Sequence, residues 1–388
     1  MPTFHFPLGG STAARTLNCP GWLKASEGVT HRPASPAAVE GSMHHEIMEM
    51  CFTNTLPPAG YVGHLYDEGD GQTRTFKKED YPLSKRAWDT TNTLLDELDI
   101  DEFMIEPLVT LIPEIAGGSI DMIGLSGDGR TALVLDYKFG RHIVSAERNS
   151  QGLFYVVAAM EDPATRDMFT GVESVVVAIV QPHGKSGLSR WTTNMKTVDE
   201  FRADMLAAIA ESQADKPRMA PGDHCKYCPA HPTCAVARKN VGALANLSAK
   251  SDNELAEAAA MVLAVEAWVA AVKEEIYMNL KNGQPVAGWK LVDKRAMRKW
   301  IDADAAEAYL KKKRIPLRLY RNNSFRTAPQ VVDALKAEGK KIDLDDFIEF
   351  KSSGTTAAPA SDEAEGINLS VVPENLAAHV ARMNEAKP

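Results

Sequence analysis

The chain has no long apolar segment, few cysteines and no overall excess of positive charge, and each absence argues against a class of protein. No uninterrupted apolar run approaches the roughly 18–20 residues that a membrane-spanning helix needs. The N-terminal residues lack a charged segment followed by an apolar block, so they do not resemble a secretory signal. Five cysteines, three of them within ten positions, favour metal binding in a reducing compartment over a disulfide framework. We therefore expect a cytosolic protein without a membrane partner.

The charge of the chain is unevenly distributed. A net charge of −9 argues against a nucleic-acid partner, because phosphate binding depends on local positive potential. The segment 281–330, however, contains thirteen basic and four acidic residues, a net charge of +9, so the remaining residues carry −18. With 44% hydrophobic and 24% charged residues, the composition is that of a globular protein.

Five aromatic residues are interleaved with the basic residues of this segment, namely Trp289, Trp300, Tyr309, Tyr320 and Phe325. A surface that contacts phosphates and unstacked bases combines these residue types. Aromatic residues are as often part of a core, and the basic run 311–314 also fits the solvated end of a helix. Both interpretations of the segment are open at this point.

Hydrophobic periodicity predicts an α/β fold in the first 240 residues, with a mixed central β-sheet flanked by helices. Residues 1–35 are rich in Gly, Pro and Ser and predict an irregular lead-in. The first helix is predicted to have Ser35 as its N-cap and Pro36 at its first position. The predicted helices cover 35–51, 82–98, 146–160 and 197–214. The predicted strands cover 103–112, 119–125, 131–138, 172–182 and 188–193, the first three as a meander.

The sequence predicts three parts along the chain, since 388 residues exceed one ordinary domain of roughly 100–200 residues. Residues 1–240 form the α/β core with its cysteines. Residues 250–350 form an accessory, basic and mainly helical region that begins with a long helix over 255–280. Residues 351–388 form a flexible linker and tail, because 352–366 are small, polar and acidic.

An Asp-x-Lys triplet ends the third predicted strand. Alternation along a strand places Asp136 and Lys138 on one face and Tyr137 on the other. Asp121 lies in the preceding strand, so hairpin pairing brings it near Asp136. Carboxylates of this kind bind Mg²⁺ or Mn²⁺. A divalent cation activates water and neutralises the charge of a phosphodiester transition state, and an adjacent ammonium adds to that stabilisation.

Two helical pairs accompany these residues. His45 and Glu49 are four positions apart and share a helix face, as do Gln151 and Tyr155. Each signal is weak by itself, because an isolated Asp-x-Lys is most often a solvated strand end and His44 competes with His45 for the same role. The order of the segments is difficult to assemble by chance. The order is Gly-x-x-x-His-x-x-x-Glu from Gly41, Gly-x-x-Asp at Asp121, Asp-x-Lys, and Gln-x-x-x-Tyr.

Three cysteines form a C-x2-C-x5-C pattern at Cys225, Cys228 and Cys234. Three thiolates leave a tetrahedral metal site incomplete, and Cys19 is the natural fourth ligand, since Cys51 lies on a helix that already faces a core. The spacing alone fits a Zn²⁺ site with four thiolates or with three thiolates plus His224 or His231. It fits an iron–sulfur cluster equally well.

The ordered series resembles the PD-(D/E)XK nuclease superfamily, specifically its RecB-like branch, over about residues 15–236. The resemblance implies a restriction-endonuclease-like core and a metal-dependent DNA exonuclease. It implies His45, Asp121 and Asp136 as metal ligands, with the carbonyl of Tyr137 as a further ligand. Lys138 would be the catalytic lysine, Gln151 and Tyr155 would support the site and the DNA strand, and Glu49 matches an acidic position. The sequence departs from the family in having Ser42 in place of threonine and Asp136 in place of the glutamate of many members.

The cysteines are similar in arrangement to the iron–sulfur staple of AddB-type and CRISPR-adaptation RecB-like nucleases. This resemblance favours a [4Fe–4S] cluster on Cys19, Cys225, Cys228 and Cys234 over Zn²⁺. The whole chain also resembles a phage-encoded RecB-like group, which implies resection of DNA ends for recombination beside a strand-annealing protein in the host cytosol. The competing hypotheses are a non-catalytic DNA-binding or assembly factor on a nuclease scaffold and a zinc-stapled structural protein.

Overall fold

A computed structural model describes residues 6–29, 34–69, 72–245, 252–322 and 324–367. The chain divides into two compact units, Met1–Trp268 and Val269–Pro388. The predicted tail beyond residue 367 lies outside the described residues. No described helix combines the length and apolarity needed to cross a membrane.

The first unit is a mixed α/β structure. Its helices are α1 Ala13–Asn18, α2 Trp22–Ala25, α3 Pro36–Asn54, α4 Tyr81–Glu97, α5 Ser150–Glu161, α6 Met195–Ser212 and α7 Ala235–Ala245. Its strands are β1 Leu65–Gly69, β2 Gln72–Thr75, β3 Ile100–Ile105, β4 Leu108–Ile112, β5 Ala116–Ser119, β6 Met122–Ser126, β7 Thr131–Tyr137, β8 Ser174–Val180 and β9 Leu188–Asn194.

Five strands form the central sheet in the order β3-β6-β7-β8-β9. Strands β7 and β8 are parallel and the other neighbours are antiparallel. The sheet is covered on both faces, since Val175, Val177 and Ile179 pack with α5 and α6. The alternating Val176, Ala178 and Val180 pack with α3 and α4. Burial on both faces explains the nearly continuous apolar sequence of β8. The predicted α/β class with a mixed central sheet flanked by helices is confirmed.

Helix α3 begins as the sequence predicts. The Ser35 side chain accepts a hydrogen bond from the Ala38 backbone N–H at 3.2 Å, and Pro36 occupies the first helical position. Helix α5 begins at Ser150 rather than at residue 146, because the Asn149 side chain caps it by accepting a hydrogen bond from Gly152 N–H. This later start places Gln151 in the first turn of α5.

The predicted three-stranded meander was wrong in its first segment. The run 103–112 divides at Glu106 and Pro107 into β3, which joins the central sheet, and β4, which pairs with β5 in a separate ribbon. Glu106 has a positive φ of 48° and Pro107 has no N–H to donate, so a single strand cannot continue through them.

Two further predictions were wrong. The lead-in over 1–35 contains α1 and α2, where the Trp22 indole donates a hydrogen bond to the buried Thr16 hydroxyl at 3.1 Å. The linker predicted over 352–366 contains strand β13, Thr355–Pro359, which pairs with β10, Trp289–Asp293. Pairing with the buried Leu291 and Val292 outweighs the polar composition of that segment.

The second unit has its own core. The division between the two units, after Trp268, falls within helix α8, Asp252–Lys281. The second unit also contains β11 Met297–Trp300, α9 Ala303–Lys312, α10 Leu317–Tyr320, α11 Ala328–Ala337 and β12 Ile348–Lys351, with β11 paired to β12. Tyr320 is buried, and Trp300, Tyr309 and Phe325 pack against the same cluster. The basic run 311–314 is exposed at the end of α9. These four aromatic side chains therefore belong to a core, and the basic run is a solvated helix end.

Candidate active and metal-binding site

The Asp-x-Lys triplet and Asp121 lie at one edge of the central sheet. Asp121 directly precedes β6, Asp136 is the second-last residue of β7, and Lys138 follows β7. Met122 pairs with Leu135 in the β6–β7 ladder, so Asp121 and Asp136 are brought to the same place by strand register. The proximity that hairpin pairing predicted is therefore found, with Asp121 just outside the strand.

Asp121 is held by two donors from different elements. Its Oδ1 lies 3.2 Å from Nδ1 of His45 on α3. Its Oδ2 accepts a hydrogen bond of 2.5 Å from the backbone N–H of Tyr137 on β7. Tyr137 thus contributes its N–H to the site, while its ring is buried on the opposite side and its hydroxyl lies 3.2 Å from the Thr91 hydroxyl. The role of the Tyr137 carbonyl stays a prediction.

Asp136 is buried and is contacted by two further predicted residues. Its Oδ2 lies 2.6 Å from Lys138 Nζ, and its Oδ1 accepts a hydrogen bond of 2.6 Å from Nε2 of Gln151. Tyr155, one turn farther along α5, is buried, and its ring packs against the backbone of Gly10. Burial and the negative charges of Asp136 and Asp121 raise the pKa of the Tyr155 hydroxyl above its usual range.

Glu106 is a site residue that the sequence analysis missed. Its carboxylate, His45 and Asp121 offer ligand atoms that all lie within 4.8 Å of one another. The break between β3 and β4 places it there, because Glu106 N–H donates to the Asp121 carbonyl at 3.3 Å and Ile120 N–H donates to the Pro107 carbonyl at 3.1 Å. The sequence does carry a signal for this break, because Glu106 is followed by Pro107 inside an otherwise apolar run.

The carboxylates of the site ionise unequally. Burial and the charge of Asp121 raise the pKa of Glu106 to about 8. Burial raises the pKa of Asp136 to about 6, against the opposing effect of the Lys138 ammonium. Burial also acts to raise the pKa of Asp121, but the charge and hydrogen bond of His45 outweigh it, so this pKa lies below its ordinary value. Asp121 is therefore the carboxylate that stays ionised most readily.

His45 lies within hydrogen-bond distance of Asp121, and the two side chains also shift each other's pKa. Burial lowers the pKa of His45, but the charge and hydrogen bond of Asp121 raise it more, so the pKa lies above its ordinary value. Glu49, one turn along α3, is exposed, and its negative charge contributes to the raised pKa of Glu106. Glu49 therefore lies at the border of the site.

His44 belongs to a different cluster. It is fully buried, stacks on Phe139 and has Nδ1 2.8 Å from the Ser84 hydroxyl. Its ligand atom lies within 4.8 Å of those of Glu40 and Asp80, which makes a second metal-type group. Arg74 contacts both carboxylates, at 3.3 Å and 2.9 Å. Because this guanidinium already neutralises them, the group around His45 is the better candidate for a metal ion.

The four predicted cysteines line one apolar cavity of about 20 Å³, together with Trp22, Met219, His224 and His231. They and Cys51 are free thiols, and no described cysteine forms a disulfide. In the described part of the chain, no three of the four sulfurs and the two imidazoles lie within 4.8 Å of one another. The structure therefore places Cys19 beside the C-terminal cysteines without a compact ligand group.

The fold and the site define an α/β protein with a carboxylate, histidine and lysine cluster at the edge of a mixed sheet. The chain belongs to the family described as "Protein of unknown function (DUF2800)", which matches residues 5–365. A comparison with curated proteins gives no match.

Proposed function

We propose that this chain is a divalent-metal-dependent DNA exonuclease that hydrolyses phosphodiester bonds at DNA ends. The observation that carries the proposal is the convergence of His45, Asp121, Asp136 and Lys138 at one sheet edge. In open α/β sheets, ligands bind outside the ends of the central strands. The cluster lies at that position, at the end of the parallel strand β7.

The residues present fit a cation such as Mg²⁺ or Mn²⁺. Carboxylate oxygens are its preferred ligands, and His45, Glu106 and Asp121 offer three ligand atoms in one place. Burial and mutual repulsion raise the pKa of Glu106 and of Asp136, so the site is short of positive charge. A bound cation would stabilise the ionised carboxylates and would supply water activation and charge neutralisation in phosphodiester hydrolysis.

The chain's own groups orient this chemistry. The Tyr137 N–H fixes the position of the Asp121 carboxylate, and the Gln151 amide fixes that of Asp136. These fixed ligands reduce the reorganisation needed during reaction. The Lys138 ammonium, 2.6 Å from Asp136, lies where it can stabilise the negative charge of a bound phosphate.

For the cysteines we propose a structural [4Fe–4S] cluster, with Zn²⁺ as the alternative. Four thiolates lining one cavity are a complete ligand set for such a cluster. A tetrahedral zinc site with Zn–S distances of about 2.3 Å holds its sulfurs only about 3.8 Å apart. Among the described residues no three of these sulfurs lie within 4.8 Å of one another, and the preference for the cluster over zinc rests on the resemblance of the cysteine arrangement to an iron–sulfur staple. Its role would be to join the segment around Cys19 to that around Cys228.

The digestion of end-labelled linear DNA tests the proposed activity. Purified protein should shorten linear single- or double-stranded DNA in Mg²⁺ or Mn²⁺, should spare closed circular DNA, and should stop in EDTA. The order in which label is released gives the polarity. Binding of DNA without cleavage in both metals would contradict the proposal and would favour a non-catalytic DNA-binding factor.

The biological setting is a further part of the proposal. An exonuclease of this type would resect DNA ends for phage recombination and would deliver single strands to an annealing protein. Its support is the resemblance of the ordered motifs to RecB-like phage nucleases. Co-purification of the chain with a single-strand annealing protein would test this setting.

A further inference from the structure

Two loops next to the site present positive charge. The first, residues 139–144, follows β7 and Lys138, and the second, residues 181–187, joins β8 to β9. Tyr137 pairs with Val180 and Lys138 N–H donates to the Val180 carbonyl at 2.9 Å, so both loops leave the same sheet edge as the Asp-x-Lys triplet. We call these two segments the basic loop pair. They contain Arg141, His142, His183 and Lys185 and no acidic residue.

A buried glutamine fixes the first loop. The Gln181 side chain donates hydrogen bonds to the carbonyls of Gly140, at 3.1 Å, and of His142. It accepts a hydrogen bond of 3.1 Å from Val144 N–H. Gln181 is 4% exposed, and a buried amide with three partners restricts the backbone on both sides of Arg141.

Arg86 on α4 fixes the second loop. Its guanidinium donates to the carbonyls of Pro182, at 2.7 Å, and Lys185, at 2.8 Å. A pocket of about 610 Å³ lies between the two loops, lined by Ile143, Val144 and Lys185 among others. Both loops are therefore rigid at the backbone, although their tips face solvent.

The cationic side chains of the basic loop pair are available to a ligand. Arg141, His183 and Lys185 are exposed, and neither Arg141 nor Lys185 forms an ion pair with a residue in the described ranges. Burial and the charges of Arg141 and Arg86 lower the pKa of His183, and the charge of Glu40 acts against them. Exposed cations without ion-pair partners in the described ranges, on loops whose backbones are held by hydrogen bonds beside the proposed active site, match the needs of a phosphate-binding surface.

We propose that the basic loop pair binds the backbone phosphates of the DNA strand that enters the site, and that Gln181 is a positioning residue for Arg141. The inference rests on the proposed function for the identity of the ligand. Phosphate contacts of this kind fix the register of a strand without reading its sequence. The loops would therefore determine how far the strand advances past Lys138.

The test measures the binding of a fluorescently labelled DNA oligonucleotide by anisotropy, with Ca²⁺ in place of Mg²⁺, from about 50 to about 200 mM salt. The variants are Arg141→Ala, Lys185→Ala and Gln181→Met in the full chain. The matched control is Arg130→Ala, which removes an exposed arginine from the opposite end of β7. Hydrolysis of bis(p-nitrophenyl) phosphate, a diester without flanking nucleotides, serves as a separate readout of the site.

We expect Arg141→Ala and Lys185→Ala each to raise the Kd for DNA about three- to tenfold and to lower the salt slope by about 0.9. Gln181→Met should raise the Kd similarly and should change the KM for DNA more than kcat, whereas Arg130→Ala should leave both the Kd and the hydrolysis of the small diester unchanged. Equal Kd values for Arg141→Ala, Lys185→Ala and Arg130→Ala would overturn the inference. DNA binding that depends on Arg141 in a wild-type protein that cleaves nothing would support this surface and contradict the nuclease proposal.

Discussion

The site contains one imidazole, His45, and three carboxylates, Asp121, Glu106 and Asp136, and burial and mutual repulsion keep the three from ionising equally. Asp121 has a pKa below its ordinary value because His45 and the Tyr137 N–H offset its burial. Glu106 and Asp136 have raised pKa values because burial is not fully offset. Without a cation this arrangement costs stability, and groups that destabilise a fold locally are often retained for function. We therefore expect substitutions at these carboxylates to affect stability and activity in opposite directions.

In metal-free protein, Glu106→Gln should be more stable than the wild type, and the difference should grow as pH rises. The folded state keeps the Glu106 proton up to about pH 8, whereas the ordinary pKa of glutamate is 4.5. The unfolded state then binds fewer protons than the folded state between these values, so wild-type stability falls as pH rises through this window. Glutamine does not titrate. The Tm of the variant minus that of the wild type, measured in EDTA, should grow from pH 4.5 to about 8.

Glu102→Gln is the matched control for this experiment, since it removes an exposed glutamate from the neighbouring strand β3. The same growth of the Tm difference in both variants would contradict the assignment of the effect to Glu106. The activity of Glu106→Gln should fall, because one candidate metal ligand is lost.

At the scale of elements, the parallel pair β7 and β8 and helix α5 position the site. Periodicity and capping predicted α3, α4, α6 and both central strands to within a few residues, because those segments bury one face or two. The separation of β3 from β4 was not predictable from apolar content. It depends on the backbone of Glu106 and Pro107, which also places Glu106 in the site. The hairpin of β1 and β2 was missed because its residues are mostly polar and partly exposed.

Gly152→Ala should destabilise the first unit and lower activity together. Helix α5 approaches β8 so closely that a Cβ at position 152 would lie 2.4 Å from Cγ1 of Val177. Relief of this clash moves α5 outward, and Gln151 moves away from Asp136. We expect a loss of about 1–3 kcal/mol in unfolding free energy, measured by chemical denaturation, and slower DNA degradation.

Gly41→Ala provides the contrast within a helix, because no atom lies within 4 Å of a Cβ added there. That substitution should stabilise α3 by about 0.5–1 kcal/mol. If Gly152→Ala stabilised the protein to the same extent, the close contact of α5 with β8 would not be a real constraint.

At the scale of the whole molecule, the cysteine cavity links the beginning of the first unit to its end. Cys19 lies between α1 and α2, and its three partners lie about two hundred positions later. A metal group that joins such distant residues restricts the unfolded chain and stabilises the folded one. The sequence pattern grouped these four cysteines but did not predict Arg15 beside them. Burial lowers the pKa of the Arg15 guanidinium, and the charges of Cys228, Cys225 and Cys19 act to raise it.

Cys225→Ala should lower stability and abolish binding of the proposed metal group. We expect a loss of at least about 2 kcal/mol, or about 4–8 °C in Tm, and loss of visible absorbance after anaerobic purification. Cys51→Ala is the matched control, since Cys51 is buried in α3 away from the cavity. It should keep the iron content of the wild type. Colourless wild-type protein with one zinc per chain would contradict the iron–sulfur assignment and support the zinc alternative.

The proposed nuclease site is tested by the rate of linear DNA degradation as a function of Mg²⁺ or Mn²⁺ concentration, compared between the wild type, Lys138→Ala and Asp136→Asn. Asp199→Asn and Lys216→Ala, both at exposed positions, control for the loss of the same charges. We expect saturable, metal-dependent degradation by the wild type and by both controls, and a rate lower by about 10² to 10³ for each site variant. Full metal-dependent degradation by Lys138→Ala and Asp136→Asn would contradict the proposed roles of these two residues.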